Sequence, residues 1–112
     1  MEACSRSPHG PPDINFAYEI FPQPPRVGPV TVTLRIFDYT GAAITGVHVA
    51  LEATMSHAGM GPVFAEAKET GPGHYQSIVQ LSMAGDWFVI VHVTWPDNRK
   101  AVYQFEIKGV EP

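Results

Sequence analysis

Apolar and polar residues alternate in several short runs along this chain of 112 residues. A period of two is typical of a β-strand that buries one face. The run from Trp87 to Trp95 also carries Phe88 and Ile90 on its second face, as expected for a central strand covered on both sides. We predict seven strands, at residues 14–20, 30–36, 47–55, 63–68, 75–81, 87–95 and 101–107. Seven short strands separated by turns predict an all-β, immunoglobulin-like β-sandwich.

The composition agrees with this fold class and limits the domain organisation. Eleven prolines and ten glycines imply many turns. A chain of this length suffices for one domain, which we predict at residues 13–112. Residues 1–12 are polar, rich in proline and glycine and without periodicity, so we predict a disordered tail or tether there. We expect a monomer.

The charge and the hydropathy of the chain argue against nucleic-acid binding and against a transmembrane helix. The net charge is −4 and the basic residues are not clustered, so we expect no nucleic-acid binding. No run approaches the roughly 18 apolar residues of a transmembrane helix.

Two interpretations of the single cysteine, Cys4, stay open. It is either an unpaired thiol in the tail or the lipidated first residue of a bacterial lipoprotein, for which Ala3 has the small side chain required before the cleavage site. Met1 would then stand in for a removed signal peptide. A chain held by two or more acyl groups would remain at the membrane surface.

Enzyme motifs are absent from the sequence. There is no Gly-x-Ser-x-Gly, no His-Glu-x-x-His and no glycine loop that leads into a helix. Asp38, Glu52, Glu66, Glu69 and Asp86 are scattered, and their spacing shows no pairing, so we expect solvated carboxylates. We therefore do not expect catalysis.

Residues 54–62 concentrate soft donor atoms in a glycine-containing segment. Met55, His57 and Met60 bring two thioethers and an imidazole together within six residues. Thioethers suit Cu(I), and imidazole binds several transition metals. We therefore predict a copper site here, although Met55 also fits the end of an apolar strand face and would then be a core residue.

Further donors to such a site would come from elsewhere in the fold. The candidates are His48, His74, Met83 and His92. His48 and His92 lie on the polar faces of their strands, so they would meet if those strands are neighbours. Each of these histidines is otherwise a solvated surface residue.

Three further stretches carry a family resemblance. They are Gly71-Pro72-Gly73-His74-Tyr75, Leu81-Ser82-Met83-Ala84-Gly85-Asp86-Trp87 and Phe105-Glu106-Ile107. Together they resemble the YtkA-like family of bacterial extracytoplasmic domains, which is related to FixH-like and CopC-like domains. From their residue types and positions alone, we predict structural roles for Tyr75 and Trp87. Large amphipathic rings at the starts of strands fill a core, and their polar groups form hydrogen bonds to a partner.

The resemblance implies a location in the periplasm or at the outer face of the cell membrane. It also implies a link to copper or to oxidase maturation, with a membrane-bound oxidase or a metal transporter as the partner. The alternative function is a metal-free immunoglobulin-like interaction module that docks through loops or an edge strand.

Overall fold

Seven antiparallel strands account for most of the chain in the computed structural model, which describes residues 14–55 and 61–112. The strands are β1 (Ile14–Phe21), β2 (Gly28–Asp38), β3 (His48–Met55), β4 (Val63–Gly71), β5 (His74–Leu81), β6 (Gly85–Thr94) and β7 (Lys100–Val110). The described ranges contain no helix. The predicted all-β class and the seven strands are confirmed, and the order and pairing below are compatible with an immunoglobulin-like sandwich.

The strands form one sheet in the order β1-β2-β5-β4-β3-β6-β7. Strand β4 belongs to two ladders: residues 63–67 pair with β3, and residues from Lys68 to Gly71 pair with β5. It therefore leads from one face of the molecule to the other, with β1, β2 and β5 on one side and β3, β6 and β7 on the other.

Strands β1 and β7, the two ends of the sheet, meet through stacked aromatic rings. The ring centroids of Phe16 and Tyr103 are 4.6 Å apart, and those of Tyr18 and Phe105 are 4.0 Å apart. An isolated parallel bridge joins Arg26 to Glu111. The sheet is therefore nearly closed, with side chains rather than a ladder of hydrogen bonds along this seam.

The core lies between the two halves of the sheet and is built from every second residue of the strands. Trp87 is fully buried, and its Nε1 donates a hydrogen bond to the carbonyl oxygen of Met83 at 2.9 Å. Tyr75 is 1% exposed, and its hydroxyl donates to the carbonyl oxygen of Ile44 at 3.0 Å. The predicted structural roles of Tyr75 and Trp87 are confirmed.

Several predicted features lie outside the described residues. They are the tail at residues 1–12 with Cys4, and the candidate ligands His57 and Met60.

Candidate metal-binding site

Met55, the first predicted ligand, is the last residue of β3 and faces the core. Its side chain is 5% exposed and belongs to the main hydrophobic cluster. Met55 pairs with Trp87 on β6, and a Cβ atom added to Gly85 would lie 3.0 Å from its Cε atom. The thioether thus fills space beside the start of β6, and its role as a metal ligand stays a prediction.

The strand ends on either side of residues 56–60 are well defined by pairing. Strand β3 ends at Met55 and β4 begins at Val63, which pairs with Ala53. The predicted donors His57 and Met60 therefore lie, in sequence, between two strand ends at the same end of the sheet.

Met83 brings another thioether to this end of the molecule. It lies in the turn between β5 and β6, with 47% of its surface exposed. The Trp87 side chain donates a hydrogen bond to its carbonyl oxygen, and a Cβ atom added to Gly85, two residues later, would lie 3.0 Å from Cε of Met55. Among the further donors considered from the sequence, Met83 is the one bonded to the residue that pairs with Met55, which is Trp87.

His48 and His92 lie on the outer face of neighbouring strands, because β3 pairs with β6. In that ladder His48 is opposite Thr94, and His92 is opposite Ala50. Met55 faces the other side of β3 and is five residues beyond Ala50, a distance of about 17 Å along a strand. The two histidines are thus near each other and away from the Met55 end.

Each of these histidines has a carboxylate partner at the diagonal position on an adjacent strand. Nε2 of His48 is 3.5 Å from Oε2 of Glu66, and Nε2 of His92 is 3.2 Å from Oε1 of Glu52. Sequence spacing did not reveal these pairs, since the partners are on different strands and only the register brings them together. In the part of the chain that the structure describes, no three His, Cys, Asp or Glu side chains are close enough to hold a metal ion.

His74, the remaining histidine candidate, is on the other half of the sheet. It begins β5 and lies opposite Arg35 on β2. Its position does not bring it to His48, His92 or the end of β3.

Two carboxylates, those of Asp38 and Asp97, have a lowered pKa and accept hydrogen bonds within turns. The hydroxyl of Thr40 donates to the Asp38 carboxylate at 2.6 Å, and the backbone N–H of Ala42 donates at 3.0 Å, which together lower the pKa of Asp38. The backbone N–H and the guanidinium of Arg99 likewise lower the pKa of Asp97. Both groups stabilise local chain reversals, so neither has the surroundings of an acid–base catalyst.

Comparison with known proteins identifies a family. The family model for YtkA-like domains matches residues 13–92, which extends from the start of β1 into β6. That range includes Met55, His57, Met60, Met83 and both histidines of the β3–β6 face. No curated protein and no solved structure matches the chain significantly.

Proposed function

The chain belongs to the YtkA-like family, and from this membership we propose that it is a small extracytoplasmic domain that binds copper and supports copper delivery or oxidase maturation. The copper part of the proposal depends on the residue types at one end of the sheet. Residues 55–60 contain two methionines and a histidine, and they begin at Met55, the last residue of strand β3.

The single observation that carries the proposal is the position of Met83. Met83 is 47% exposed, and its carbonyl oxygen accepts a hydrogen bond from Trp87, the residue that pairs with Met55 at the end of β3. Together with the Met60 thioether and the His57 imidazole, the Met83 thioether would form a neutral, soft donor set, and such a set favours Cu(I) over harder ions. Met55 would support the site from the core below it.

Delivery needs a partner and a location, which are further parts of the proposal. The partner is a membrane-bound oxidase or a metal transporter, and Cys4 would carry the lipid that keeps the domain close to it. Among the described residues no helix is long and apolar enough to cross a bilayer.

The test is a Cu(I) competition titration of the full chain against a chromogenic chelator under reducing conditions. We expect one site, lost in a Met55→Leu/His57→Ala/Met60→Leu variant and weakened about tenfold or more by Met83→Leu, since each removes soft donors. Cys4→Ser is the control, because a free thiol also binds Cu(I). The separate Met55→Leu variant decides whether the buried thioether is a ligand.

A different result would contradict the proposal. If the chain does not compete for Cu(I), or competes only while Cys4 is present, residues 55–60 and Met83 are not a copper site.

The alternative function, a metal-free interaction module, is favoured by one observation. Phe64 on β4 and Ile78 on β5 expose 69% and 60% of their surface near the place where these strands separate. Exposed apolar groups that lie close together mark contact surfaces. Capture of a membrane partner that is lost in Phe64→Ser/Ile78→Ser but kept without copper would favour this function.

A further inference from the structure

Strand β5 loses its partner on one side partway along its length. The ladder between β4 and β5 ends at the pair Lys68–Gln76, because residues 63–67 of β4 pair with β3 instead. If the ladder continued in the same register, Ile78 would lie opposite Glu66. Among the described residues no other strand takes this place, so the rest of β5 is paired with β2 alone.

The main-chain groups of Ile78 and Gln80 point into the gap that β4 leaves. The N–H of Ile36 on β2 donates to the carbonyl oxygen of Gly73 at 2.8 Å, so residue 73 directs its main chain toward β2. This direction alternates along a strand of an antiparallel ladder. The odd-numbered residues of β5 therefore bond to β2, and the N–H and C=O groups of Ile78 and Gln80 face the other way.

The hydroxyl of Ser77 marks the same gap from the side of β4. It donates to the carbonyl oxygen of Glu66 at 3.0 Å, which shows that this carbonyl faces β5. In a continued ladder the same carbonyl would accept a hydrogen bond from the N–H of Ile78. The carbonyl is thus satisfied by a side chain, and the N–H of Ile78 is left open toward the gap.

A groove of about 480 Å³ follows the gap on the outer face of the sheet. Ala65 and Ser77, whose small side chains point inward, lie at its bottom, and the exposed side chains of Phe64 and Ile78 line its sides. The volume is within the range of ligand-binding clefts. The groove therefore combines a row of open main-chain groups with apolar side chains on both sides.

We propose that an extended polypeptide segment of a partner protein adds to β5 as a strand, in the place that β4 gives up. Such a segment would run antiparallel to β5 and exchange main-chain hydrogen bonds with Ile78 and Gln80. A row of open N–H and C=O groups on a strand is matched by another strand, which is how extended peptides bind to sheet edges.

The groove also selects the side chains of the segment. Residues of an added strand point alternately to the two faces of the sheet. Those on the outer face would lie between Phe64 and Ile78 and should be apolar, whereas those above Ala65 and Ser77 should be small. The segment that fits has small residues alternating with apolar ones.

This proposal names the partner for the contact surface of the alternative function, on which it rests, and it does not depend on copper. The test is done with a metal chelator present, so its result leaves the copper proposal untouched. A membrane partner that is captured through Phe64 and Ile78 without main-chain pairing would keep the alternative function and overturn only the added strand.

The test is amide hydrogen exchange of the full chain, with and without a synthetic peptide. The probe is an end-blocked peptide of three Ser-Val repeats between two lysines. In the free protein the N–H groups of Ile78 and Gln80 should exchange about tenfold or more faster than those of Ser77 and Val79, which bond to β2. Excess peptide should slow exchange at Ile78 and Gln80 about tenfold or more and leave the other two unchanged.

Two sets of variants separate main-chain pairing from apolar contact. An N-methyl group on the central valine of the peptide removes a donor that faces β5 and should lower the affinity about tenfold, whereas the same group on the central serine is the matched control. On the protein, Phe64→Ser and Ile78→Ser should each lower the affinity about fivefold or more. Tyr39→Ser, which removes an exposed ring outside the groove, should not.

Four results would overturn the proposal. One is slow exchange at Ile78 and Gln80 in the free chain, and another is no slowing at millimolar peptide. The third is an equal effect of the two N-methylated peptides. The last is protection that appears with rising protein concentration in the absence of peptide, which would assign the edge of β5 to a second copy of the chain. Thermal unfolding of the three protein variants checks that each is folded.

Discussion

The hydroxyl of Ser77 donates a hydrogen bond to the carbonyl oxygen of Glu66 at 3.0 Å. Ser77 is 3% exposed, and it is the one polar side chain among the buried residues of the described ranges. The ladder between β4 and β5 reaches only as far as Lys68 and Gln76 at this side. The hydroxyl therefore satisfies a carbonyl group where β4 leaves β5 for β3.

Ser77→Ala should lower the free energy of unfolding by about 1 kcal/mol, because the carbonyl group of Glu66 loses its donor. Urea denaturation, monitored by tryptophan fluorescence, would measure the change in the free energy of unfolding. Ser82→Ala, in the exposed turn after β5, is the matched control and should change stability by about 0.5 kcal/mol or less. An unchanged urea midpoint for Ser77→Ala would show that the strand switch does not need the hydroxyl.

Tyr75→Phe should also cost about 1 kcal/mol at neutral pH, because the Ile44 carbonyl loses its donor. Burial raises the pKa of Tyr75 above its ordinary value of 10.0. The folded state therefore favours the neutral phenol, so the stabilisation is complete below pH 10 and is lost as the pH rises through the folded-state pKa. Stability of the wild type should fall more steeply above pH 10 than that of Tyr75→Phe.

The control for this comparison is Tyr39→Phe, which changes a tyrosine that is 74% exposed. It should leave the alkaline pH dependence as in the wild type. Parallel profiles for the wild type and Tyr75→Phe between pH 9 and 12 would contradict the argument.

Gly85→Ala should destabilise the fold for two separable reasons. Gly85 has a φ of +127°, which costs other residues about 1–3 kcal/mol. The new Cβ would also lie 3.0 Å from Cε of Met55. Met55→Ala removes that atom, so the double variant should be more stable than the sum of the two single losses predicts, while the φ penalty remains.

A double-mutant cycle by chemical denaturation measures this coupling. The control is Gly71→Ala, since Gly71 has no positive φ and no atom near its added Cβ. Strict additivity of Gly85→Ala and Met55→Ala would mean that the thioether moves away without cost.

The aromatic seam between β1 and β7 should show a favourable coupling energy. Stacked aromatic pairs contribute about 0.5–1.5 kcal/mol beyond their buried area. A cycle of Phe16→Leu and Tyr103→Leu, whose rings are 4.6 Å apart and nearly parallel, should return a value in that range. Phe21→Leu is the control, because Phe21 is 72% exposed and outside the seam. A coupling energy near zero would show that the rings merely fill the gap.

Much of the scaffold could be predicted from local sequence. Alternation located all seven strands to within a few residues, and it separated inward residues such as Leu51 from outward residues such as Glu52. It also identified Tyr75 and Trp87 as core rings. These features depend on neighbours along the chain, where a period of two directly states which side chains share a face.

The candidate sites were only partly predictable, because they depend on strand order. Alternation gave Met55 two interpretations, core residue or ligand, and the structure shows a buried thioether beside Gly85. The hypothesis that His48 and His92 meet required β3 and β6 to be neighbours, which they are. Their glutamate partners could not be identified from spacing.

The sequence by itself therefore determined the fold class, the strands and the inward and outward sets of side chains. Only the tertiary structure decided that Glu52 lies 3.2 Å from His92, 40 residues away, that Ser77 bonds Glu66, and that the Met55 end is remote from both histidines. The physical reason is that side-chain alternation acts within a strand, whereas register and strand order arise from packing between strands that are distant in sequence.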